Sequence, residues 1–177
     1  MEVWKSIKGF ENYEVSNYGN VKSLERIIII RKNIPVVIKE KKLKNYKTKK
    51  GYLETSLRKN NKPNRRKIHR LVYETFVCEI SLNYCINHLD LDKKNNHISN
   101  LELVTNTENI CHAELNNKKN TSKFIGVSFC KDRNKWISQI VFNKKHYFLG
   151  RFNSQQEARN ARTNFEKENN INNKYSL

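Results

Sequence analysis

The stretch from Tyr84 to Leu115 constrains the fold of this chain more than any other. Tyr84-Cys85-Ile86-Asn87 has the composition of a strand entering a loop, and Leu101-Glu102-Leu103-Val104 that of a returning strand. Thr105-Asn106-Thr107-Glu108 offers a capping box for a short helix through about Leu115. Strand, loop, strand and helix in that order predict a ββα unit with His88 at the end of the first strand and Asn109 in the first turn of the helix, two distant positions brought face to face. The loop between the strands is almost wholly polar, carrying Asp90, Asp92, Asn95, Asn96, His97 and Asn100. A histidine can take a proton from water near neutral pH, and amide and carboxylate oxygens suit a hard divalent cation better than a soft one. In a basic protein, those residue types point to cleavage of a phosphodiester.

The protein is indeed basic. Its 177 residues carry a formal net charge of +18 and a sequence pI near 9.8, with 37% hydrophobic residues. Solubility alone asks for a charge of roughly 2 to 8 on a small domain, so a polyanionic partner is implied. Nucleic acid is the first candidate, because Lys and Arg that neutralise phosphates release counterions. A membrane surface is the rival. The longest purely aliphatic run, Ile27 to Ile30, is far shorter than the roughly 20 residues of a span. No signal-peptide core follows Met1, and the expectation is a soluble, intracellular protein. The four cysteines, Cys78, Cys85, Cys111 and Cys130, form no C-x-x-C pair, so neither structural zinc nor a disulfide framework is expected. Charge is unevenly spread: residues 1–60 carry +9, residues 61–120 only +2, and residues 121–177 +7. A nearly neutral centre between two basic flanks is what a catalytic site between phosphate-gripping arms would need, and solvated basic faces would give the same distribution.

From Trp4 to Leu24 apolar and polar residues alternate around two turn signals, Lys8-Gly9 and Tyr18-Gly19-Asn20, which predicts short strands. The pattern W-x-x-I-x-G-F-E-x-Y-x-V-S-N-x-G-x-V-x-S resembles the module at the N-terminus of many phage-type and intron-borne HNH endonucleases. Lys39 to Lys50 follows, with Lys41, Lys42 and Lys44 among its seven lysines and only Glu40 opposing. It reads as a phosphate-tracking strand or loop, or a solvated one. Gly51 to Leu57 reads as another strand, closed by a polar turn from Lys59 to Arg66 that contains Pro63. Ile68, Leu71, Val72 and Phe76 recur at helical spacing, predicting an amphipathic helix over Ile68–Val77 beneath the site. His69 at its start has the place of a structural residue, and Arg70 that of a phosphate contact.

The central run N-H-x-D-x-x-K-x-N-N-x-x-x-N-L-E-x-V-T-x-x-x-N, within Lys67 to Leu115, resembles the HNH nuclease motif in the variant whose last histidine is asparagine. The resemblance implies that His88 is the general base and that Asn100 ties the loop together and helps orient the histidine. It further implies that Asn87 and Asn109 ligate one divalent cation, Mg2+ or Mn2+. One position departs from the pattern. Many relatives carry aspartate where this chain has Asn87, and a neutral amide binds a cation more weakly. Asp90 and Asp92 are available to supply charge or to close turns.

Beyond Ser122 three strands are expected, Lys123–Phe129, Lys135–Phe142 and His146–Phe152, the last two joined at Asn143-Lys144-Lys145. Ser154-Gln155-Gln156-Glu157 is a second capping box, and Ala158, Ala161 and Phe165 share one face of the helix it opens. G-V-x-F, K-W-x-x-x-I, Y-x-L-G-x-F and Glu157-Ala158 resemble an AP2-type DNA-binding domain. That resemblance implies a sheet entering the major groove, with Ser128, Arg133, Lys135, Trp136, Ser138 and Arg151 as contact candidates. Trp136 is also a candidate for the core, and Leu149 and Phe152 are expected in the core.

The sequence thus predicts an α+β protein of small modules. Residues 1–62 form a basic β module, 63–117 the ββα-metal nuclease, and 118–177 a three-stranded antiparallel sheet with one packing helix. The expected function is a site-specific homing-type endonuclease acting as a monomer on double-stranded DNA and nicking one strand. The alternative is a DNA-binding regulator with weak or lost catalysis. RNA binding ranks lower, because the C-terminal sheet lacks an evident ladder of stacking aromatics.

Overall fold

The computed structural model describes residues 1–30, 33–116 and 122–172. The expected module boundary at 117/118 lies outside the described residues. The fold is α+β, as the sequence predicted, with many short strands in small antiparallel sheets and three α-helices among the described residues. It divides into two compact units, Met1–Val104 and Thr105–Leu177.

In the first unit, β1 (Trp4–Ile7), β2 (Phe10–Ser16) and β3 (Val21–Ser23) follow the alternation in the sequence. The chain reverses at Gly9 (φ 77°) and Gly19 (φ 82°), both in the left-handed region that glycine enters without steric cost. Antiparallel pairing sets Val15 opposite Val21, both essentially without exposure. The hairpin of β4 (Arg26–Ile30) and β5 (Ile34–Ile38) leaves Ile27 and Ile29 exposed, so this most aliphatic run contributes little to the core. β6 (Lys41–Lys42) completes a sheet in the order β1-β2-β3-β6.

β7 (Tyr46–Lys47), β8 (Leu53–Lys59) and β9 (Lys62–Lys67) form a second sheet. Here one expectation is corrected. The polar run Lys59 to Arg66 is not a turn but mostly strand, because Asn60 (φ 51°) and Asn61 (φ 60°) alone close a two-residue hairpin. Pro63 is tolerated since β9 is an edge strand.

Helix α1 (Ile68–Phe76) buries Ile68, Leu71 and Val72, the stripe read from the sequence. β10 (Tyr84–His88) pairs with β11 (Leu101–Thr105). A single hydrophobic core runs from Ile7 through Leu57, Ile68 and Val72 to Ile86 and Leu101. It joins the N-terminal strands, α1 and the strand that carries His88.

The second unit begins at the predicted capping box. The Thr105 hydroxyl accepts from Glu108 N (3.2 Å) and the Glu108 carboxylate accepts from Thr105 N (2.8 Å), opening α2 (Asn106–Leu115). β12 (Val127–Cys130), β13 (Lys135–Phe142) and β14 (Lys145–Phe152) form the three-stranded sheet, and α3 (Gln155–Glu168) packs on it. β12 starts four residues later than expected, because Lys123 (φ 58°) and Gly126 (φ 66°) turn the chain first. The second capping box is half formed. Ser154 accepts from Glu157 N, but the Glu157 carboxylate reaches back to Asn153 N (3.1 Å) instead of Ser154 N.

Candidate active site

Side-chain hydrogen bonds within the loop between β10 and β11 reinforce backbone bonds such as that from Leu89 N to the Asn100 carbonyl (2.9 Å). The Asn100 amide accepts from Asp90 N (3.1 Å) through Oδ1 and donates through Nδ2 to Asp90 Oδ1 (2.9 Å) and to the Asn95 carbonyl (2.8 Å). Asp90 Oδ1 also accepts from Asp92 N (2.8 Å), and Asp90 Oδ2 accepts from Asn95 Nδ2 (2.7 Å). Against the opposing push of burial, the Asn95 and Asn100 hydrogen bonds hold the Asp90 carboxyl below the usual carboxylate range. Asp92 accepts from Lys94 N (3.0 Å). Both aspartates close turns within the loop, the second of the two uses the sequence left open.

His88 lies at the end of β10 with 4% of its surface exposed. Its Nε2 faces Asn96 Oδ1 at 3.3 Å. Asn96 is itself buried, and its Nδ2 donates to the Lys94 carbonyl (3.0 Å), which fixes the orientation of the amide. Because the atom facing the ring is an acceptor, the ring proton belongs on Nε2, and Nδ1 carries the lone pair. Burial lowers the His88 pKa below the ordinary imidazole value, against the Asn96 hydrogen bond and the charges of Asp90 and Asp92, so the ring is neutral at pH 7.

His69, at the start of α1, packs its ring 5.2 Å from that of His88, and Tyr52 lies 5.0 Å from His69 and 5.9 Å from His88. Burial, reinforced by His88, Lys67 and Arg70, pushes His69 down to about 3. Its Nδ1 has no hydrogen-bond partner among the described residues. The N-terminal strands contribute too: Asn17 O accepts from Ile98 N (2.8 Å), and the Tyr18 and His97 rings meet edge to face at 4.5 Å.

Asn87 is buried beside His88, and its Nδ2 donates to Glu102 Oε1 on β11 at 2.7 Å. A carboxylate only accepts, so nitrogen is the end of the Asn87 amide turned to Glu102 and oxygen is the other end. Oxygen suits a hard divalent ion. The amide oxygen is thus a donor type that such an ion accepts, while among the described residues no group of three or more His, Cys, Asp or Glu side chains is placed to hold a metal ion. Asn109 is the fourth residue of α2, in the second unit.

Of the basic candidates in the first unit, Lys41, Lys42, Lys44 and Arg70 are all exposed, and Arg70 also pairs with Glu74 one helical turn on, at 3.5 Å. In the second unit the strand register separates the proposed contacts. Ser128, Ile137 and Arg151 form one cross-strand row, while Phe129, Trp136 and Phe152 form another on the opposite face. Ser138 and Ile140 share the face of Trp136 and are buried. Ser138 has no exposed surface, so from this sheet its hydroxyl touches no groove; strand alternation turns it inward. Arg133 and Arg151 are exposed, Lys135 and Trp136 half-buried, and Leu149 and Phe152 half-buried rather than deep in the core.

Glu102 and Tyr52 were not singled out by the sequence reading, and Asn96 was named there as a loop residue and not as a partner of His88. Asn96 was visible only as one of two adjacent loop asparagines. Glu102 lies between two leucines, and nothing in its spacing says which strand residue it meets.

Comparison with known proteins gives two family matches, the NUMOD4 motif over residues 2–58 and the HNH endonuclease family over residues 66–110. The uncharacterised HNH endonuclease L247 of Acanthamoeba polyphaga mimivirus is 38% identical over 121 residues, which is 66% of this chain and 27% of that protein. The chain thus spans about a quarter of the length of that relative. DNA endonuclease I-HmuI of Bacillus phage SP01 is 33% identical over 131 residues, 73% of this chain and 68% of that protein. A solved structure of DNA binding and cleavage by the HNH homing endonuclease I-HmuI aligns with 35% identity and a TM-score of 0.49, covering 61% of this chain and 55% of the other.

Proposed function

The chain belongs to the HNH endonuclease family, and from that premise we propose that it is a site-specific, homing-type DNA endonuclease that hydrolyses one phosphodiester with His88 as general base. The observation that carries the reading is the state of His88. Its Nε2–H is committed to Asn96 Oδ1, its ring is kept neutral by burial, and its Nδ1 is left as the proton acceptor. A buried neutral imidazole fixed in one tautomer is prepared to deprotonate a water for in-line attack on phosphorus. Asn96 is the group that orients the ring. Asn100 acts one step further away, holding the loop in which Asp90 and Asn96 sit.

Asn87 and Asn109 are the residues that would hold a divalent cation, Mg2+ or Mn2+. When bound, such an ion polarises the scissile phosphate and stabilises the departing 3′ oxygen. The chain's own contribution is the oxygen end of the Asn87 amide, directed by Glu102. Double-stranded DNA is the proposed substrate, gripped by the exposed Lys41, Lys42 and Lys44 and by the open sheet face that carries Ser128 and Arg151. That open face supports the AP2-like reading of the second unit, since Arg151 projects from it with its guanidinium over the Phe148 ring. One histidine base and one chain acting as a monomer favour nicking of a single strand.

Supercoiled plasmid bearing candidate target sites, incubated with Mg2+ or Mn2+, tests this directly. The expected result is metal-dependent conversion to nicked circles that drops by at least about a thousandfold in His88→Ala. Binding without nicking in either metal would instead favour a DNA-binding regulator, the reading that a neutral amide at Asn87 keeps open.

A further inference from the structure

Asn87 poses a charge problem that the β10–β11 pair answers. An asparagine brings no negative charge to a cation, and the two aspartates nearest in sequence are spent on the loop. Asp90 accepts from Asn95, Asn100 and the backbone of Asp92, and Asp92 accepts from the backbone of Lys94. Glu102, projecting from the neighbouring strand, is the carboxylate hydrogen-bonded to the Asn87 side chain, at 2.7 Å.

We propose that Glu102 is a positioning residue for the cation, acting through Asn87, so that the buried Asn87 and the half-buried Glu102 together do the work of one aspartate. The carboxylate performs two tasks that a single aspartate would combine. By accepting from Nδ2 it sets the orientation of the amide and directs oxygen to the ion, and it draws electron density toward that oxygen. Its own negative charge lies one side chain away, close enough to offset part of the cation's charge in a site where His88, Asn87 and Asn96 are all shielded from water. A glutamine in its place would preserve size and could still accept from Asn87 but would lack the charge.

The inference rests on Asn87 being a cation ligand, and the test separates the two claims. Mn2+ binding to the full chain, followed by water-proton relaxation without DNA, is the readout, with thermal melting as a check on folding. Glu102→Gln is expected to weaken Mn2+ binding by about tenfold or more, and the double variant Asn87→Asp/Glu102→Gln to restore it to near the wild-type value, because the charge returns one residue away and the new amide can donate to it. Wild-type affinity in folded Glu102→Gln would overturn the inference alone. So would a loss that Asn87→Asp fails to repair in a folded double variant, since that is the behaviour of a merely structural residue. No Mn2+ uptake by the wild type, or uptake undiminished in Asn87→Ala, would overturn the ligand reading and the inference with it.

Discussion

At the scale of single residues, the site depends on two buried histidines with different duties. His88 is the proposed base, whereas His69 is held neutral beside it, with Nδ1 unpartnered among the described residues. Protonation of His69 is favoured in the unfolded chain, where the ordinary value of 6.5 applies, over the folded one, where it falls to about 3. Its contribution to stability is therefore complete above about 6.5 and is lost as pH falls toward 3, with a slope approaching about 1.4 kcal/mol per pH unit. His88 is shifted in the same direction and adds to the trend. Urea unfolding between neutral pH and about pH 4 should show midpoints that fall with acidification in the wild type and fall less steeply in His69→Phe. Asn96→Ala removes the acceptor that selects the His88 tautomer. Nicking should slow by roughly 10- to 100-fold with little change in DNA affinity, measured as single-turnover rate against binding. The sequence offered His88 and Asn100 for the proposed base and loop brace but could not say what Asn96 or Glu102 would meet, because a residue's chemistry is local while its partner is set by how a loop folds back or two strands register.

Elements were read more reliably than contacts. Helix α1 began where the apolar stripe began, and the Thr105 capping box formed with both of its hydrogen bonds, since capping is written within four consecutive residues. Thr105→Ala should cost about 1 kcal/mol, detectable as a lowered melting temperature. The polar run after Lys59 misled because strand propensity is weak evidence at a sheet edge, where lysine, arginine and even Pro63 are tolerated. Gly19 shows how an element junction acquires tertiary meaning. A Cβ added there would meet Asn96 Cβ at 2.7 Å and Ile68 Cγ2 at 2.9 Å, at a φ of +82° that side-chain-bearing residues avoid. Gly19→Ala should therefore destabilise the first unit by about 2 kcal/mol and also disturb the Asn96 loop, lowering nicking more than the stability change alone explains; denaturation and single-turnover cleavage together would show it.

On the scale of the whole molecule, charge carries the proposed binding of DNA. An excess of +18 predicts steeply salt-dependent binding. Replacing Lys41, Lys42 and Lys44 by Gln should lower the slope of log affinity against log salt by up to about 3, at about 0.9 for each phosphate left without its lysine, in titrations across salt concentrations. An unchanged slope would mean those lysines only face solvent. By itself the sequence determined the fold class, the order of strand, loop, strand and helix around His88, the strong positive charge and the family resemblance. All of these are carried by residue type and short-range spacing. Tertiary structure alone decided that the Gly19 turn packs against the loop between β10 and β11, that one core joins Ile7 to Leu101, that Ser138 and Trp136 face away from Arg151, and that a glutamate fifteen residues downstream meets Asn87. Each is a long-range packing or register relation, and a one-residue change in register moves a side chain to the other face without altering the local pattern that a sequence displays.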